Sequence, residues 1–161
     1  MEKMDLLAEL GDAVLIYAEK ARREQIRMIY REPQTLPFVI GDKNRIKQVF
    51  INIIDNAIKY SNKGGTITIS ADYVGNKIQV MVTDNGIGIS KQDLPRVKTK
   101  FFKANQTRRG SGIGLAVADE IITMHGGTLQ ISSELGFGTS VVITLPTAMT
   151  TEQTAVTVEG D

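Results

Sequence analysis

Apolar side chains recur at helical spacing in three segments of the chain. Residues 5–23 place them at the i, i+3, i+4 and i+7 positions, and Asp5 stands where it can cap the first turn. A second amphipathic segment follows Asp42, and a third covers residues 112–125 until Gly126 and Gly127 end it. The pattern predicts three helices, each of which buries one face.

Alternation of apolar and polar residues marks the strands between these helices. The predicted strands cover residues 25–31, 38–40, 66–71, 77–83, 128–133 and 139–145. The last four form two hairpins, which implies antiparallel neighbours, and helices with one buried face must cover a sheet. We therefore predict an α/β fold, a two-layer sandwich in which helices cover one face of a mixed, largely antiparallel sheet.

Two segments lack sustained periodicity. Ser90 and Asp93 have the spacing of a capping box for a short helix, after which residues 96–110 are polar and basic, as in a long mobile loop. Residues 147–161 are rich in Thr and contain no aromatic residue, so we expect a disordered tail. The folded domain is predicted to cover residues 1–146.

Composition and charge narrow the possible functions. The chain has 161 residues and no cysteine, which excludes disulfides and thiolate metal sites and suits a reducing compartment. A net charge of +1 argues against a broad electrostatic surface for nucleic acid or membrane. No apolar run is long enough to span a bilayer. We expect a cytoplasmic domain, which could belong to a membrane-anchored protein.

A polar stripe lies opposite the apolar face of the second predicted helix. Asn52, Asn56 and Lys59 stand at i, i+4 and i+7, so they point the same way. An amide oxygen suits Mg²⁺, and a lysine beside it can meet a phosphate. The stripe could equally be a solvated helix face.

Two glycine-rich motifs supply further candidate chemistry. In Asp84-x-Gly86-x-Gly88 a carboxylate ends a strand, where it could accept a hydrogen bond from an exocyclic amino group such as that of adenine, and the two glycines would let the backbone approach a ligand closely; an ordinary turn is the alternative. Gly110-x-Gly112-x-Gly114 precedes a helix, whose free N–H groups and dipole favour phosphate. Neither motif is specific alone.

Other phosphate-binding motifs are missing. No strand comes directly before the second glycine run, as a Rossmann fingerprint requires, and no Gly-x-x-x-x-Gly-Lys-Ser/Thr occurs. The His-Arg-Asp and Asp-Phe-Gly elements of eukaryotic-type kinases are also missing. These folds are excluded.

The order of the motifs is more specific than any one of them. An asparagine helix, a strand ending in Asp-x-Gly-x-Gly, a basic loop, a glycine-rich helix start and a final Gly-x-Gly-Thr follow one another. In this order the chain resembles the catalytic domain of sensor histidine kinases, within the ATPase superfamily shared with gyrase, the Hsp90 chaperones and MutL. The segments similar to the family's N, G1, G2 and last glycine boxes are 52–61, 84–88, 110–115 and 136–139. The resemblance covers residues 5–146 and implies a Bergerat-type ATP-binding fold.

This resemblance implies ATP and Mg²⁺ as cofactors and a role for each matching residue. Asn56 would hold Mg²⁺ with support from Asn52, and Asp84 would read adenine with help from Thr139 through water. Lys103 would stand near the γ-phosphate, and the implied catalytic residues are Asn52 and Lys103. The other implied nucleotide contacts are Lys59, Tyr60, Gly86, Gly88, Ile89, Gly110, Ser111, Gly112, Ile113, Gly114 and Leu115.

The identity of residue 52 distinguishes between ATP hydrolysis and phosphotransfer. Superfamily members that hydrolyse ATP resemble one another in carrying a glutamate one helical turn before the magnesium asparagine, where this chain has Asn52. An amide cannot act as a general base, so water is not activated. This difference favours phosphotransfer over hydrolysis.

The phosphate acceptor is expected outside this chain. His125 is the one histidine, and its place at a helix end before two glycines favours a structural role. The resemblance implies a histidine on a separate dimerisation domain of the same kinase, a homodimer in the full-length protein and a downstream response regulator. An anti-sigma-factor-type serine kinase and a non-catalytic ATP-binding module remain alternatives.

Overall fold

A computed structural model describes residues 1–97 and 114–148, and within these ranges it confirms the three predicted helices. They are α1 (Leu6–Arg23), α2 (Lys43–Tyr60) and α3 (Gly114–Met124). The predicted caps are present, because the Asp5 carboxylate accepts from the backbone N–H of Leu7 and the Asp42 carboxylate accepts from two N–H groups at the start of α2. None of the described helices is long and apolar enough to cross a membrane.

Five strands form a mixed sheet, as predicted, and two more form a small separate sheet. The seven strands are β1 (Glu2–Met4), β2 (Arg27–Arg31), β3 (Val39–Gly41), β4 (Thr66–Val74), β5 (Lys77–Asp84), β6 (Thr128–Glu134) and β7 (Gly138–Pro146). In the large sheet the order is β2-β4-β5-β7-β6, with β2 parallel to β4 and every other pair antiparallel. β1 pairs with β3 in the small sheet and was missed from the sequence, because three residues show no alternation.

The core lies between the helices and one face of the large sheet. Phe50, Ile53 and Ile54 of α2 are almost fully buried, as are Ile67 and Ile69 of β4. The opposite face carries hydroxyl side chains such as those of Thr83 and Ser140, whose oxygens lie 2.9 Å apart. An antiparallel sheet with one packed and one solvated face has this composition. The two-layer sandwich is therefore confirmed.

Two local features differ from the sequence prediction. Ser90 Oγ accepts from the backbone N–H of Asp93 at 3.2 Å, but the following element is a single 3₁₀ turn, Leu94–Arg96. Past the expected boundary at residue 146, Thr147 and Ala148 are still buried, and the Ala148 N–H donates to the Phe38 carbonyl at 2.7 Å. Nearly all of the predicted loop and of the predicted tail lies outside the described residues.

Candidate functional site

The face of α2 that carries Asn52 and Asn56 contacts the start of α3. Seven apolar residues of α2 are buried, which turns Asn52 and Asn56 to the opposite, half-buried side. Asn52 Nδ2 donates to the Gly114 carbonyl at 3.4 Å. Asn56 makes no side-chain hydrogen bond to another residue of the described chain, so its amide oxygen can accept a ligand. The fold thus combines the N-box helix with the helix that follows the second glycine motif.

Lys59 is held by an ion pair that sequence reasoning missed. Its Nζ lies 2.8 Å from Asp55 Oδ2, and the other carboxylate oxygen of Asp55 lies 3.4 Å from Lys20 Nζ on α1. Asp55 and Lys59 have i, i+4 spacing, which favours an ion pair on one helix and was a usable signal. A phosphate that binds Lys59 would therefore compete with Asp55 for the ammonium group.

The end of α2 is fastened to the loop that follows β5. The carbonyl oxygen of Tyr60 accepts from the Ile87 N–H at 3.2 Å. A Cβ on Gly86 would lie 2.2 Å from that same oxygen, so a side chain there is sterically excluded. Gly88 has φ +74°, and a Cβ there would lie 2.1 Å from the Glu134 carbonyl oxygen. Both positions require glycine because other backbone atoms of the same chain lie close to them. Close approach of a ligand at these glycines stays a prediction.

Asp84 ends β5 and is only 8% exposed. Its Oδ1 accepts from the Gly86 N–H at 2.9 Å, and the carboxylate also accepts from the backbone N–H of Thr139. Burial raises the pKa of Asp84 above its usual range, while these two hydrogen bonds oppose the rise. A buried carboxylate with remaining acceptor capacity suits a ligand that brings its own N–H donor.

Ser133 connects this loop with the last glycine motif, and sequence reasoning missed it. Its Oγ accepts from the Ile89 N–H at 2.7 Å and lies 2.8 Å from both the Gly138 carbonyl oxygen and Thr139 Oγ1. Ser133 pairs directly with Thr139 across the β6–β7 hairpin, so the register of that hairpin was the available signal. Thr139 also pairs with Asp84, which places all three residues in one row across the sheet.

The start of α3 completes the described part of the site. Gly114 packs against α2, since a Cβ there would lie 3.7 Å from Asn52 Cβ, and Leu115 packs against the hydrophobic core. Five predicted contacts, Lys103, Gly110, Ser111, Gly112 and Ile113, lie outside the described residues.

His125 lies away from this constellation and is 6% exposed. Its Nδ1 donates to the Ile121 carbonyl at 2.7 Å, and its Nε2 accepts from the Asp42 N–H at 3.1 Å. Both ring nitrogens are therefore used inside the protein, in agreement with the expected structural role.

The curated proteins that are similar to this chain include sensor kinases. The chain is 39% identical over 153 residues to the "Non-motile and phage-resistance protein" of Caulobacter vibrioides, which covers 90% of this chain and 18% of that protein. It is 37% identical over 131 residues to the adaptive-response sensory kinase SasA of Synechococcus elongatus, covering 80% of this chain and 34% of the kinase. The chain thus spans about a third or less of the length of these relatives.

Solved structures match the fold. The mycobacterial sensor histidine kinase MprB superposes with a TM-score of 0.79 at 28% identity, covering 90% of this chain and 97% of that one. The nucleotide-free catalytic domain of the histidine kinase ThkA also gives 0.79, at 27% identity, covering 91% and 96%. The family described as histidine kinase-, DNA gyrase B-, and HSP90-like ATPase matches residues 41–149, and the chain belongs to this family as a histidine kinase ATP-binding catalytic domain.

Proposed function

We propose that this domain binds ATP with Mg²⁺ and transfers the γ-phosphate to a histidine on a separate domain of the same kinase. The observation that carries the transfer step is the identity and bonding of Asn52. Its amide stands one helical turn before Asn56 and donates to the Gly114 carbonyl. An amide cannot take a proton from water, so the γ-phosphate is left for another acceptor.

The described residues suit the nucleotide in its expected position. Asp84 offers a buried acceptor to the adenine amino group, and Thr139 stands beside it in the same row. The amide oxygen of Asn56, which has no hydrogen-bond partner among the described residues, fits Mg²⁺, which prefers oxygen ligands and when bound would neutralise phosphate charge. Lys59 would support the phosphates or ribose beside Tyr60. Lys103, Gly110 and Gly112 would act on the phosphates from the part of the chain outside the described residues.

The histidine acceptor and the response regulator are proposed partners. His125 is buried with both ring nitrogens bonded, so it offers no accessible nucleophile. The curated relatives are longer than this chain, which leaves room in such proteins for a histidine-bearing dimerisation domain. ThkA has been solved in complex with a response regulator protein, TrrA. We extend that downstream partner to this kinase.

Labelled ATP with Mg²⁺ tests the transfer. The isolated chain should bind nucleotide, hydrolyse it slowly and acquire no stable phosphate. The histidine-bearing dimerisation domain of the same kinase, added in trans, should acquire an acid-labile label even though the effective concentration of a tethered acceptor is lost.

The control is His125→Gln, which should leave labelling of the dimerisation domain largely intact. Self-labelling of the isolated chain that disappears in His125→Gln would show that His125 is the acceptor. Labelling of serine on a partner would favour an anti-sigma-factor-type kinase, and binding without any transfer would indicate a non-catalytic module.

A further inference from the structure

Three polar residues form a row across one end of the sheet, on the face that the helices cover. Asp84 of β5 pairs with Thr139 of β7, which in turn pairs with Ser133 of β6. Asp84 is buried and the other two are half-buried, whereas Ser132, the neighbour of Ser133, is exposed on the other face. The row therefore lines the same side of the sheet as the asparagine helix.

The hydroxyl protons of Ser133 and Thr139 can be assigned by elimination. Ser133 Oγ lies 2.8 Å from the Gly138 carbonyl oxygen, which can only accept, so the single Ser133 proton must point there. Thr139 Oγ1 also lies 2.8 Å from Ser133 Oγ, and with the Ser133 proton already used, Thr139 must be the donor of that bond. The proton of Thr139 is thus directed towards Ser133.

This arrangement leaves the Thr139 oxygen with lone pairs only. Asp84 beside it is also an acceptor when ionised. A purine with an amino group at position 6 brings donors to this row, whereas a purine with a carbonyl there brings a further acceptor. An acceptor that faces only acceptors loses its hydrogen bond to water without replacement, and such mismatches are the basis of strong discrimination.

We propose that Ser133 is a positioning residue for nucleotide specificity, which fixes the Thr139 hydroxyl as an acceptor and so helps the site to select a 6-amino purine. The inference rests on the proposed function, because it assumes that the nucleotide base lies at Asp84 and Thr139. Ser133 acts through Thr139 and through the Ile89 N–H, which it holds at 2.7 Å.

The test compares the affinities of ATP and inosine triphosphate, which replaces the 6-amino group by a carbonyl. Ser133→Ala should lower the preference for ATP by roughly three- to tenfold, the range that one neutral hydrogen bond supplies. Without Ser133 the Thr139 hydroxyl can rotate and donate to the water that bridges it to the base, and that water then has a proton to donate to the carbonyl of inosine. Ser133→Thr keeps a hydroxyl and should retain the wild-type preference, and Ser132→Ala, on the solvated face, should retain it too.

A second variant separates positioning from general damage to the fold. Thr139→Val removes the acceptor itself and should lower the preference by a similar factor, and Ser133→Ala added to it should change the preference little further. Retention of the full preference in Ser133→Ala, or full additivity with Thr139→Val, would overturn the inference. If Ser133→Ala does not fold, a wild-type preference in Thr139→Val is decisive against it. Failure of the wild-type chain to bind ATP would instead contradict the proposed function.

Discussion

The Nε2 of His125 accepts a hydrogen bond from the backbone N–H of Asp42, which joins the end of α3 to the first turn of α2. Gly41 leaves room for the ring, because a Cβ there would lie 2.7 Å from His125 Cδ2. α2 carries the asparagines of the site and α3 begins beside them. The imidazole therefore fixes the relative position of two helices whose other ends carry residues of the proposed nucleotide site.

His125→Ala should lower the free energy of unfolding by about 1–3 kcal/mol, because the partly buried N–H of Asp42 loses its acceptor and the Ile121 carbonyl keeps only the backbone N–H of residue 125 as a donor. Chemical denaturation would measure this loss. Met124→Ala, at an exposed neighbour, is the matched control and should change stability little. Wild-type stability in His125→Ala would contradict the structural role.

Asn56→Ala should weaken ATP binding in the presence of Mg²⁺ and have a smaller effect without it, because it removes the oxygen proposed to contact the metal. Isothermal titration with and without Mg²⁺ would show the difference. Gln48→Ala removes an exposed amide from the same helix and serves as the control. Equal Mg²⁺-dependent affinities in wild type and Asn56→Ala would exclude the metal role.

Asp55→Asn should tighten ATP binding by roughly two- to fivefold, the range of a partly exposed ion pair. The substitution releases Lys59 from a carboxylate 2.8 Å away and leaves its charge for phosphate. Asp12→Asn makes the same charge change at the separate pair with Lys47. If both variants bind ATP alike, Asp55 does not restrain Lys59.

The helices and their caps could be predicted because their signals are local. Asp5 and Asp42 cap the helices expected from the spacing of apolar residues, and both hairpins follow from alternation around turns. The parallel pairing of β2 with β4 has no such signal, because it joins residues 27–31 to residues 66–70 through an intervening helix. Pairing between strands so far apart in the sequence depends on how the rest of the chain folds.

The candidate site likewise contains residues that have a local sequence signal and residues that have none. Asp84 could be proposed as a site residue from the sequence because its motif is contiguous and stands in a fixed order with the other motifs. Ser133 could not, since its importance arises from three hydrogen bonds across two strands and a loop. The requirement for Gly88 was recognised for an incomplete reason: the Glu134 carbonyl, distant in sequence, occupies the space where a side chain would stand.

The raised pKa of Asp84 gives nucleotide binding and stability opposite dependences on pH. Burial is the main cause of the rise, so the folded protein without nucleotide holds the Asp84 proton more tightly than the unfolded chain does. The stability that comes from this proton is fully present below the unfolded pKa, which is about 3.9 for aspartate, and is lost as the pH rises through the folded pKa. In the proposed binding mode ATP uses the ionised carboxylate as an acceptor, so ATP binding should strengthen over the same interval.

Asp84→Asn should abolish both effects. The ATP affinity of the variant at neutral pH should fall, and its preference for ATP over GTP should decrease. Its unfolding free energy without nucleotide should not fall, because the amide oxygen can still accept from the Gly86 N–H without a buried charge. ATP titrations and denaturation curves should be recorded for wild type and variant from acid to neutral pH. The difference between the two proteins gives the contribution of Asp84, because protonation of the nucleotide and of other carboxylates affects both proteins equally. Equal affinity of the wild type for ATP and GTP, or identical pH dependences in the two proteins, would show that Asp84 does not read the base.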